Sequence, residues 1–134
     1  MNPTSLEFRD LARRFGAVRV FSGLSATVAG GDVLAVRGEN GSGKSTLLRC
    51  LAGLLRPERG SIAAREAGRE LDAARRRARV GYLAPDVAFY DELSANENLD
   101  FFARLRGISS DAGKALASRL GLPAGRPFHA LSSG

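Results

Sequence analysis

An α/β fold is predicted by three features of this 134-residue chain. The tetrad Val33-Leu34-Ala35-Val36 is uninterrupted apolar sequence, the pattern of a strand buried on both faces as in a parallel sheet. It runs into a glycine-rich break, Gly38 to Gly43, and then into a leucine stripe with helical spacing. Finally, strand-like patterns dominate the first half of the chain and helix-like patterns the last third.

In order, Leu6–Arg9 reads as a short strand with Leu6 and Phe8 on one face. Phe15-Gly16 makes a turn, and Val18–Phe21 and Leu24–Val28 are strand candidates ended by Gly30-Gly31-Asp32. From Ser45 to Leu55, the residues Leu47, Leu48, Leu51, Leu54 and Leu55 mark one helix face, stopped by Pro57 and Gly60. Ser61–Ala64 reads as a strand, and Leu71–Arg79 as a short helix or an exposed loop. Val80-Gly81-Tyr82-Leu83 reads as a buried strand ended by Pro85. Ser94-Ala95-Asn96-Glu97 has the form of a capping box, opening a helix to about Arg106 with Leu99, Phe102 and Leu105 inward. Gly107 ends that helix, and another spans Asp111 to Leu120 before Gly121 and Pro123. The expected organisation is a β-rich unit over residues 1–84 and a helical unit over residues 85–134.

Composition removes several classes. A single cysteine, Cys50, allows no internal disulfide, and no Cys/His cluster is spaced for zinc, which points to a reducing, cytoplasmic setting. No apolar run approaches the ~18 residues of a membrane span. Glu7, Arg9 and Asp10 stand where a signal peptide needs apolar sequence. The net charge of +6 suits nucleic acid, phosphorylated ligands or an anionic membrane surface alike. Two of the 20 cations are lysine, Lys44 and Lys114, and the rest are arginine.

The strongest chemical signal is Gly38-Glu39-Asn40-Gly41-Ser42-Gly43-Lys44-Ser45, which matches G-x-x-x-x-G-K-[ST]. Its glycines let backbone N–H groups converge on phosphate oxygens, and the helix that follows adds the positive end of its dipole. Lys44 is placed to reach the β- and γ-phosphates, and the Ser45 hydroxyl to ligate Mg²⁺. The dinucleotide fingerprint G-x-G-x-x-G does not fit, because the glycines fall at 38, 41 and 43 and a lysine follows.

Several segments, in order, resemble the nucleotide-binding domain of ATP-binding cassette (ABC) transporters. Gly38–Thr46 is similar to the Walker A motif of that family, and Leu47–Gly60 (LLRCLAGLLRPERG) to its continuation. Val80–Pro85 with Tyr90–Leu99 (YDELSANENL) resembles the Q-loop region and the start of the helical subdomain. Leu131-Ser132-Ser133-Gly134 resembles the opening of the LSGGQ signature, with serine in place of one glycine. The resemblance implies a P-loop NTPase fold of ABC type, an N-terminal β-rich subdomain plus a helical subdomain. It also implies a head-to-tail dimer holding ATP and Mg²⁺, and an integral membrane subunit as partner on the inner face of the membrane.

By position, the resemblance places Phe15 as the aromatic residue that stacks on adenine, the alternative being a plain core aromatic. Gly38, Glu39, Asn40, Gly41, Ser42, Gly43, Lys44, Ser45 and Thr46 would hold the phosphates. Leu131, Ser132, Ser133 and Gly134 would face the γ-phosphate held by a second subunit. Asp86 stands where the family usually has glutamine, and would contribute to Mg²⁺ and the attacking water with altered metal dependence; the alternative is a solvated loop acid. The family's Walker B carboxylates and switch histidine are expected after the signature, so His129, which precedes it, takes no role. These positions predict a chain cut from a longer gene at Gly134, with part of the core missing. Such a sheet would have an open edge, and the chain would bind ATP incompletely and hydrolyse it poorly.

The leading expectation is therefore the ATPase subunit of an ABC transporter, most similar in style to the haem-exporter subunits of cytochrome c biogenesis. A non-transport ABC ATPase acting on ribosomes or nucleic acid is the alternative, motivated by Arg75-Arg76-Arg77 and Arg79. No aromatics interleave with those arginines, so nucleic acid is not the expected partner. A small P-loop kinase is disfavoured by YDELSANENL and the terminal LSSG.

Overall fold

The computed structural model describes residues 4–84 and 89–131. Two compact units emerge, one ending at Tyr82 and the other beginning at Leu83. Among the described residues, no helix is long and apolar enough to cross a membrane.

The first unit is built on strands β1 (Thr4–Phe15), β2 (Val18–Ala29), β3 (Arg59–Glu66) and β4 (Arg69–Glu70). They form one sheet in the order β2-β1-β3-β4, with every pair antiparallel. β1 and β2 are a hairpin closed at Phe15-Gly16, with Phe15 paired to Val18. The two short strands read from the sequence between Val18 and Val28 are one continuous strand.

The pairing of β1 with β2 is irregular at three places, between Phe8 and Leu11, Leu11 and Arg13, and Arg13 and Arg14. The register shifts between Phe8 and Leu11, and Asp10 takes a positive φ of 47° there while its N–H donates to Ser25 Oγ at 2.8 Å. This bulge inserts one residue, which lets Phe8 and Leu11, three apart in sequence, both reach the core. The helix α1 (Lys44–Leu51) lays Leu47, Cys50 and Leu51 on Phe8, Leu11 and Phe21. Burying each leucine is worth about 1.5–3 kcal/mol.

Helix α1 ends sooner than the leucine stripe suggests. Gly53 adopts φ 76°, its N–H bonds to the Cys50 carbonyl at 3.0 Å, and the Leu54 N–H bonds to the Arg49 carbonyl at 2.9 Å. That pair of bonds is a Schellman close, so the chain turns off the helix axis before Pro57. Leu54 is 60% exposed as a result, and Leu48 is also exposed.

Two expected strands are absent. Val33–Val36 and Val80–Leu83 join no ladder among the described residues. Val33 is 93% exposed and Leu83 82% exposed, although Val36 leans on the core. A run of apolar residues specifies burial on two faces only where strands lie along both its edges, and the described sheet ends at β2 and β4. Leu71–Arg79 resolves into a helix, α2 (Ala73–Arg79), whose start is capped by Asp72 Oδ1 accepting from the Arg75 N–H at 2.8 Å.

The second unit holds α3 (Ala95–Arg106), α4 (Asp111–Arg119) and a short 3₁₀ turn at Phe128–Ala130. The predicted capping box forms: Ser94 Oγ accepts from the Glu97 N–H, while Glu97 Oε2 accepts from the Ser94 N–H and hydroxyl. The inward face of α3 differs from the expected one. Asn98 and Ala103 are buried, whereas Phe102 is partly exposed and Leu105 is 69% exposed. α4 meets α3 near Leu99 and Asp100, where Lys114 pairs with Asp100 and Gly113 lies close to Leu99, and Leu105 falls beyond it.

Candidate phosphate-binding site

The first unit positions the loop from Gly38 to Gly43 between the core-facing Val36 and helix α1. Gly43 is the N-cap of α1, with φ 93° and ψ 10°, a left-handed conformation that L side chains rarely adopt. A Cβ there would also run into Val20 Cγ1 on β2. Gly43 thus brings the helix start against the hairpin in a way that no other residue type permits.

No side chain caps α1, and no acidic residue lies in its first turn. Its leading N–H groups are therefore available to an external anion and reinforced by the helix dipole. A tight turn precedes it, with the Ser42 N–H donating to the Glu39 carbonyl at 3.2 Å. Lys44 folds back over the loop and donates from Nζ to the carbonyls of Gly38 and Glu39 at 2.8 and 2.6 Å. The ammonium is held on the loop side of the helix start, where a bound polyphosphate would replace neutral carbonyl partners with charged ones. Ser45 is exposed at the same helix start, and Thr46 is half-buried.

Beneath the loop lies a recess of about 340 Å³ lined by Phe8, Phe21, Leu24, Leu34, Val36 and Leu47 on its apolar side and by Gly38, Ser42, Gly43 and Lys44 at its rim. Among the described residues, no carboxylate lines it. Among the described residues, no group of three or more His, Cys, Asp or Glu side chains could hold a metal ion. What this site offers an Mg²⁺ ion is therefore the Ser45 hydroxyl, which fits an ion that arrives on phosphate oxygens rather than one held in a cage of protein carboxylates.

Of the expected site residues, Gly38, Glu39, Asn40, Gly41, Ser42, Gly43, Lys44, Ser45 and Thr46 form one continuous loop-to-helix segment. Phe15 sits at the end of β1, is 51% exposed, and does not line the recess. The Arg13 guanidinium lies over its ring, 4.8 Å from the centroid. Asp86, Ser132, Ser133 and Gly134 lie outside the described residues. In the second unit, the Leu131 N–H bonds to the Phe128 carbonyl at 3.0 Å, and His129 Nδ1 lies 2.8 Å from the Asp91 carbonyl, a structural contact.

Three features escaped sequence reasoning. Val20 and Phe21 press on Gly43 from β2, a contact between distant residues that no local pattern announces. Arg13 reads from sequence as one more surface cation. Asn98 is 2% exposed and clamps a turn: its Oδ1 accepts from the Tyr90 N–H at 2.9 Å, and its Nδ2 reaches the carbonyls of Tyr90, Leu93 and Ser94 at 3.0–3.2 Å. The arginine run of α2 is also largely engaged. Arg75 pairs with Asp72, Arg79 pairs with Glu66, and Arg76 donates to the Ile62 carbonyl.

Comparison with known proteins follows the same lines. The family described as ABC transporter matches residues 21–134. A cytochrome c biogenesis ATP-binding export protein CcmA 2 of Cupriavidus metallidurans is 41% identical over 96% of this chain and 63% of its own length. A daunorubicin resistance ATP-binding protein DrrA3 of Streptomyces coeruleorubidus is 36% identical over 90% of this chain and 38% of its own length. A solved ATP binding subunit of an ABC transporter superposes with a TM-score of 0.75 at 29% identity, covering 95% of this chain and 55% of that one. The chain thus spans less than two thirds of the length of each.

Proposed function

The chain belongs to the ABC transporter family, and from that premise we propose that it serves as the ATP-binding subunit of a transporter, coupling ATP binding and hydrolysis to movement of a solute through an integral membrane partner. The observation that carries this reading is the uncapped start of α1 beneath a lysine whose ammonium rests on loop carbonyls. Such a site binds a polyphosphate through backbone N–H groups and one mobile point charge. Gly38–Gly43 would wrap the β- and γ-phosphates, Lys44 would neutralise charge that develops on the γ-phosphoryl oxygens, and Ser45 Oγ would be a ligand for the accompanying Mg²⁺. Phe15 supplies an exposed aromatic face for adenine. Asp86 is assigned to the metal and water side of the site. Leu131, Ser132, Ser133 and Gly134 are assigned to the nucleotide of a second subunit in a head-to-tail dimer.

The 134-residue chain alone is assigned nucleotide binding with little turnover. The likeness to CcmA 2 supports reading it as an export subunit of cytochrome c biogenesis, peripheral on the inner face of the membrane. The nucleic-acid alternative is disfavoured in this reading, since three of the four arginines that suggested it, Arg75, Arg79 and Arg76, contact Asp72, Glu66 and the Ile62 carbonyl.

The test is equilibrium binding of Mg·ATP by the wild-type chain and by Lys44→Ala. Removing the ammonium from two to three charge-assisted phosphate contacts is expected to weaken ATP about 10- to 100-fold. Equal affinity in both proteins would refute the assignment.

A further inference from the structure

Arg13 and Phe15 stand two residues apart at the end of β1, beside the register shift between Arg13 and Arg14. The guanidinium of Arg13 is 4.8 Å from the centroid of the Phe15 ring, the distance of a cation–π stack. Phe15 is nevertheless 51% exposed, so its ring keeps open surface for another planar group. The same guanidinium is fixed at a second point, where its terminal Nη1 donates to the Arg56 carbonyl at 3.1 Å. Arg56 lies on the chain that leaves the turn after α1, the helix that begins at the phosphate loop. The Arg13 Nε is buried and makes no hydrogen bond, so two contacts, the ring and the Arg56 carbonyl, set where this side chain lies.

We propose that Arg13 is a positioning residue for the nucleobase: it braces one face of Phe15 and ties that aromatic platform to the chain leaving α1, so that the other face is held ready for adenine. The inference rests on the assignment of Phe15 as the adenine-stacking residue. A guanidinium suits this task because it is planar and permanently charged and can stack and hydrogen-bond at once, which an ammonium cannot do with the same geometry. A phenylalanine held in one orientation loses less freedom when a base stacks on it than a free one does, so the brace contributes to base affinity and not to phosphate affinity.

The experiment is calorimetric titration of the full chain with Mg·ATP and with Mg·tripolyphosphate, which carries the phosphates without the base. Wild type, Arg13→Met, Arg13→Lys, Phe15→Ala and the double variant Arg13→Met/Phe15→Ala are compared. Arg13→Met is expected to weaken ATP about fivefold and to leave tripolyphosphate unchanged, with Arg13→Lys between it and wild type. Phe15→Ala is expected to weaken ATP about tenfold, and the double variant to be no weaker than Phe15→Ala alone, because a brace has no effect without the ring it braces. If Phe15→Ala leaves ATP affinity intact, or if wild type binds ATP no better than tripolyphosphate, the stacking assignment falls and the brace with it. If Phe15→Ala weakens ATP while both Arg13 variants match wild type, stacking stands and the brace is overturned. Loss of tripolyphosphate affinity in Arg13→Lys, or full additivity in the double variant, also overturns it.

Discussion

Replacing Asn98 by alanine should unfasten the second unit at its turn. The buried Asn98 amide reaches four backbone groups: it accepts from Tyr90 and donates toward the carbonyls of Tyr90, Leu93 and Ser94. An amide has two donor hydrogens, so three carbonyls share two, and the side chain supplies the equivalent of about three bonds. At about 1 kcal/mol net each, Asn98→Ala costs about 3 kcal/mol. The cost is not reduced by rehydration in the native state, because the site is 2% exposed and the small alanine leaves those backbone groups without partners. The loss should be local. Hydrogen exchange read by mass spectrometry is expected to show residues 90–98 losing protection, with the hairpin of β1 and β2 unchanged, and urea unfolding of the second unit shifting to lower concentration. Asn98→Asp keeps the acceptor but places a carboxylate against three carbonyls, and should be at least as damaging at neutral pH. A loss below 1 kcal/mol with unchanged protection at Tyr90 would refute the clamp.

Other consequences follow from the same contacts. Gly43→Ala forces a side chain into Val20 and into a left-handed backbone, so it should cost about 2–4 kcal/mol in a urea titration and abolish measurable ATP binding. Ser94→Ala removes the cap of α3 and should cost about 1 kcal/mol by thermal unfolding. Hydrogen bonds from Ser94 hold the Glu97 carboxyl below the usual carboxylate range. That contribution is present above the unfolded-state pKa and is lost as pH falls through the lowered folded-state one, so acid should fray α3 in wild type and change Ser94→Ala less, as followed by circular dichroism. Cys50 is fully buried, and burial pushes its thiol pKa up despite the nearby Arg13 charge, so a thiol reagent at neutral pH should label it only as fast as the first unit opens. Labelling at the rate of a free thiol would contradict the core described for α1.

Local chemistry was legible in the sequence, and long-range neighbours were not. The loop from Gly38 to Ser45, the Phe15-Gly16 hairpin turn and the Ser94–Glu97 capping box each depend on residues a few positions apart, and each took the expected form. Val33–Val36 misled because apolar content reports a preference for burial, while a strand also needs partners on its edges. Helix α1 stopped early because Gly53 offers a left-handed close that outweighs the remaining leucines. Asn98 was hidden because a polar residue in an amphipathic helix reads as surface, and only the folded turn of Tyr90–Ser94 reveals four groups for it to satisfy. Arg13 was hidden for a similar reason: the Arg56 carbonyl meets it only once β1 and the chain after α1 are adjacent.

The claim at the centre of this account is that the backbone from Gly38 to Thr46, with the Lys44 ammonium, closes on the phosphates of ATP. Backbone amide chemical shifts of the nitrogen-15-labelled chain, followed during titration with Mg·ATP, test it most directly. The account predicts that the largest shifts fall on Gly41 to Thr46, saturate with ATP, and vanish in Lys44→Ala. Shifts concentrated instead on the arginines of α2, or a loop that stays unchanged at saturating ATP, would contradict it.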